Sequence, residues 1–86
     1  MQIKKELIKR EIAGEAFLIP LGKAVYENNG IFVLTELGGF IWDILSEAKG
    51  KEDILKAVLA EYEVDEETAS KDIDEFLEKL RDMEII

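Results

Sequence analysis

The chain has 86 residues, enough for one small domain, and its 48 % hydrophobic and 36 % charged residues suit a globule rather than a disordered tail. It contains no cysteine and no histidine, which excludes disulfides, thiolate nucleophiles, the usual zinc ligand sets and histidine general bases together. The net charge of −9 is uneven: Lys4, Lys5, Lys9 and Arg10 against Glu6 make the first ten residues +3, so the remainder sums to −12 and repels a polyanion such as nucleic acid.

The opening stretch, "MQIKKELIKREIAG", interrupts its apolar residues with charges every few positions. Neither a signal peptide nor a membrane span is expected there, and a cytoplasmic location is the default. Two short strand-like runs follow, residues 7–13 and 16–20, with Gly14-Glu15 as the tight connection and Pro20 closing the second run because it cannot donate to a ladder. "AVYENNGIFVL" then reads as an apolar piece, a turn on Asn28, Asn29 and Gly30, and a β-favouring run at residues 31–34. Whether residues 24–27 form a strand stays open at this level.

From Thr35 the hydrophobic period becomes helical. Leu37, Phe40, Ile41, Ile44 and Leu45 fall on one face, Thr35 stands where an N-cap belongs, and Gly50 ends the segment. Gly38 and Gly39 are poor helix formers, so their place in the first turn points to close packing. A second helix carries Ile54, Leu55, Val58, Leu59 and Tyr62 on one face, until "EVDEE" breaks it. The third is capped by Asp65, places Glu66 and Glu67 in its positively polarised first turn, and stacks Ala69, Ile73, Phe76, Leu77, Leu80 and Met83. Strands first and helices afterwards make a single α+β domain over residues 1–86, a three-stranded antiparallel sheet followed by three helices packed on one of its faces.

Little in this pattern is catalytic. Asp43 and Glu47 lie at helical spacing, and Glu61, Glu63, Asp65, Glu66 and Glu67 cluster at a loop. Paired carboxylates can hold a hard cation, but the spacing is not that of an EF-hand loop and a solvated acidic surface accounts for it. No metal or cofactor is expected. Trp42, beside Ile41 and Ile44, reads as a core anchor of the first helix.

Three segments together carry a resemblance: "REIAGEAFLIPLG", "NNGIFVLTELGGFIWDIL" and the closing "DIDEFLEKLRDMEII". In order and spacing they resemble the family of pyrroloquinoline quinone (PQQ) biosynthesis protein D, PqqD, over roughly residues 7–86. The most specific portion is Val33-Leu34-Thr35-Glu36, then Gly38-Gly39, then Phe40-Ile41-Trp42. Thr35 stands where the family usually has asparagine, which keeps the capping chemistry, and Glu84 replaces a glycine often found before the last two apolar residues.

The resemblance implies a winged helix-turn-helix-like fold that binds a peptide instead of DNA. In this family the leader segment of a ribosomally made precursor peptide adds as an antiparallel strand to the edge of the third strand, against a groove walled by the third helix. The domain is a recognition element that presents the precursor to a modifying enzyme, in the founding case a radical S-adenosylmethionine (SAM) protein of PQQ biosynthesis, and catalyses nothing itself. Carried onto this sequence, the edge strand is Ile31, Phe32, Val33 and Leu34 with Gly30 leading in, and the helix wall is drawn from Ala69, Asp72, Ile73, Phe76, Leu77 and Leu80. For the apolar members of that wall, a place in the core is the competing reading. Two other classes remain open. A winged-helix DNA regulator needs a basic recognition helix, whereas residues 65–84 carry nine acids against three bases. An oligomerisation module with no peptide ligand would use the open edge to make a homodimer.

Overall fold

The computed structural model describes residues 1–22 and 32–86. The proposed turn at residues 28–30, and Gly30 and Ile31 of the expected edge strand, lie outside the described residues. Within them, strands β1 (Leu7–Ile12), β2 (Glu15–Pro20) and β3 (Phe32–Leu34) precede helices α1 (Glu36–Leu45), α2 (Lys51–Glu61) and α3 (Glu66–Asp82). The sheet is three-stranded and antiparallel, as expected from the sequence, and its strand order is β1-β2-β3.

β1 and β2 form a hairpin in which Ile12 pairs with Glu15, so the connection is Ala13-Gly14 and not Gly14-Glu15. Both turn residues have positive φ, 52° and 83°, the backbone a two-residue hairpin loop requires to match the strands' right-handed twist. The central strand then pairs Ala16 with Leu34, Phe17 with Val33 and Leu18 with Phe32. Leu18 and Leu34 turn their side chains into the core, whereas Val33, one position out of phase, is 59 % exposed.

Each helix begins where the sequence provides a cap or a break. The Thr35 hydroxyl accepts the Gly38 N–H at 3.0 Å, and an Asp65 carboxylate oxygen accepts the Thr68 N–H at 3.0 Å. α1 stops at Leu45, short of Gly50, and Gly50 serves instead as the N-cap residue of α2. Ile41, Leu45, Ile54, Val58, Ala69, Ile73, Leu77 and Leu80 meet beneath the sheet and form the core with Leu18 and Leu34. Leu59 is turned outward on α2, and Trp42 is half-buried at the margin of the core rather than inside it.

α3 ends in a motif that explains the Glu84 substitution. The Glu84 N–H donates to the Arg81 carbonyl and the Ile85 N–H to the Leu80 carbonyl, while Glu84 itself takes φ 59°. This is a Schellman turn, whose left-handed position favours glycine, and its apolar clasp is Leu80 against Ile85, both fully buried. The Lys4 N–H donates to the Ile85 carbonyl at 2.7 Å, tying the first residues to the last.

Candidate functional site

A groove of about 390 Å³ runs between β3 and α3. One wall is Phe32 and Val33; the other is Asp72, Glu75, Phe76 and Lys79; the floor is Thr35, Leu37, Gly38 and Ile41 from the start of α1. Among the described residues β3 pairs only with β2, so its outer edge, with alternate N–H and C=O groups unpaired, faces this groove.

The two walls are set by one aromatic contact. Phe32 and Phe76 meet edge to face, their ring centres 6.2 Å apart and their planes at 80°. Phe76 can lean this far over because Gly38 lies beneath it: a Cβ on Gly38 would stand 3.2 Å from the Phe76 ring and 3.2 Å from the Thr35 hydroxyl oxygen. The expected close packing of the glycine pair therefore holds at Gly38. It does not hold at Gly39, where a Cβ would meet the Lys9 side chain at 3.9 Å, an ordinary contact.

Along α3 the apolar residues divide into two neighbouring faces. Ala69, Ile73, Leu77 and Leu80 are no more than 1 % exposed and belong to the core, where they back the groove without reaching its surface. Phe76, Asp72, Lys79 and Glu75 step progressively to one side of that stripe and make the wall. On the strand, Phe32 and Val33 line the groove, and Leu34 keeps its side chain in the core at 5 % exposure. Sequence reasoning did not single out Thr35, Leu37, Gly38, Ile41, Glu75 or Lys79 as groove residues. The signal for the last two was their position beside the core stripe, one helical step beyond Asp72 and Phe76.

The acidic residues do not converge on a metal site among the described residues. Asp43 pairs with Lys9 Nζ at 2.7 Å, and among the described residues no three acidic, histidine or cysteine side chains are placed to hold a metal ion. No helix among them is long and apolar enough to cross a membrane.

Residues 16–86 match the model of the family described as coenzyme PQQ synthesis protein D, PqqD. The chain belongs to the PqqD family. Its fold is also similar to a solved structure, "TbiB1 in Complex with the TbiA(beta) Leader Peptide", with a TM-score of 0.74 and 33 % identity over 99 % of this chain and 93 % of that one. No curated protein matches the sequence.

Proposed function

We propose that this PqqD-family chain is a non-catalytic adaptor that captures the leader segment of a ribosomally made precursor peptide and presents it to a modifying enzyme, of the radical SAM class or a comparable one. The observation that carries this reading is the unpaired outer edge of β3 facing a groove with an apolar floor. A guest strand along that edge gains sequence-tolerant backbone hydrogen bonds, while alternate side chains drop toward Leu37, Gly38 and Phe76, which select among them. The structural similarity to TbiB1, solved in complex with a leader peptide, supports a peptide as the ligand.

The test is titration of ¹⁵N-labelled protein with the leader peptide of a precursor encoded beside its gene. Amide shifts confined to residues 32–38 and 72–79, with a dissociation constant of about 1 μM or tighter, are expected for a short strand plus a few pockets. Phe76→Ala should weaken binding about tenfold, the equivalent of ~1.4 kcal/mol, by removing a wall of the groove. Shifts that avoid β3 and α3 would sink the proposal.

A further inference from the structure

The groove continues past the start of α1. Leu37 and Asp72 also line a second pocket of about 290 Å³, enclosed by the first turn of α1, the end of α2 and the segment leading into α3. Its apolar lining comes from Leu37, Val58, Tyr62, Val64 and Ala69, and its acidic lining from Glu36 and Glu63, which are exposed and so at the rim, and from the half-buried Asp72. The ion pairs Lys9–Asp43 and Lys51–Asp74 involve none of these three carboxylates, which have no cationic partner among the described residues.

The acidic rim over an apolar lining favours one kind of occupant. An anionic side chain meets three like charges, and a small metal ion finds no set of three converging ligands among the described residues. A short neutral side chain leaves the rim uncompensated. A lysine or arginine fits both parts: its methylene stem covers the apolar interior while its charged head remains at the wet, acidic rim. The Tyr62 ring in the lining is held edge to face against Phe40, their centres 5.4 Å apart. Tyr62 also registers the local field, since its hydroxyl pKa is raised first by burial and then by the charges of Glu36 and Glu61.

Position supplies the second half of the argument. β3 runs into Thr35 and α1, so a guest lying along β3 leaves the sheet at the end where the second pocket opens. The sheet is antiparallel throughout, and a strand added in the same sense brings its N-terminal flank to that end. We propose that the second pocket is a subsite for a lysine or arginine on the flank of the guest peptide that precedes its strand-forming segment. This rests on strand addition at β3 and adds to it the charge and place of one guest residue.

Selection of random 16-residue displayed peptides on the immobilised chain tests the subsite. Enriched peptides are expected to join a β-favouring core to a basic residue a few positions before it. Changing that residue to glutamine in a selected peptide should lower affinity about three- to tenfold on the native chain and less than about twofold on a Glu36→Gln/Glu63→Gln variant, the non-additivity expected of groups in direct contact. Both substitutions are at exposed positions, and an unchanged amide spectrum away from the pocket confirms that the variant is folded. Selected peptides that shift residues 32–34 yet show no basic preference would overturn the subsite and leave strand addition standing. Peptides that bind without touching β3, or no enrichment at all, would overturn both.

Discussion

Gly38 and Gly39 stand side by side in α1 and answer to different demands. The space above Gly38 belongs to Phe76, whereas Gly39 has room for a methyl group. Gly39→Ala should therefore stabilise the fold by up to about 1 kcal/mol through helix propensity, raising Tm by about 4–8 °C in a domain of this size. Gly38→Ala should gain much less, because the Phe76 ring must shift by a few tenths of an ångström, and it should weaken guest binding where Gly39→Ala does not. Thermal unfolding and a peptide titration on both variants separate the two effects. Glu84 makes a third case. Its left-handed backbone costs a non-glycine residue roughly 1 kcal/mol, partly offset by the larger unfolded-state freedom of glycine, so Glu84→Gly should raise stability by about 0.5 kcal/mol in urea unfolding. The sequence displayed the glycine pair but not which member was crowded, since that depends on a phenyl ring from a helix almost forty residues later.

At the scale of elements, caps and periods were the legible part. Thr35 and Asp65 cap the helices they were expected to cap, because side-chain-to-backbone bonds over three residues are local chemistry. Hydrogen bonds from the Thr68 N–H and then the Thr68 hydroxyl hold the Asp65 carboxyl below its ordinary value of 3.8. A carboxyl depressed in the folded state adds stability above its unfolded pKa and loses it as pH falls through the folded one. The advantage of native Asp65 over an Asp65→Asn variant should thus be constant from pH 5 to 7 and shrink below about pH 4, as urea unfolding at each pH will show. The division of α3 into a core stripe and a groove wall was less legible. Phe76 sits at the border of the two faces, and helical spacing alone counts it with Leu77 and Leu80. Only the position of β3 across the gap decides on which side its ring falls.

For the molecule as a whole, the absence of histidine and cysteine and the acidic balance narrowed the function more than any single motif did. Those features spoke against a thiol or imidazole active site and against nucleic acid, but composition does not reveal an open sheet edge, which is a property of topology. The order β1-β2-β3 puts β3 at an edge of the sheet, across the groove from α3. The same edge is open to a second copy of the chain, and a net charge of −9 on each copy opposes that pairing. Sedimentation at low salt should show a monomer, which takes up one guest peptide without a change in oligomeric state. A dimer that persists with saturating guest would mean that association uses some other surface.

The open edge of β3 has a kinetic consequence. Along Phe32–Leu34 a guest strand bonds to alternate backbone groups, and the side chains that line the groove supply the rest of its hold. With a micromolar constant and an ordinary association rate near 10⁶ M⁻¹s⁻¹, a bound peptide departs within about a second. Such a dwell time is comparable with the turnover of many enzymes, so one copy of the chain can serve a succession of precursors, each released before it blocks the next.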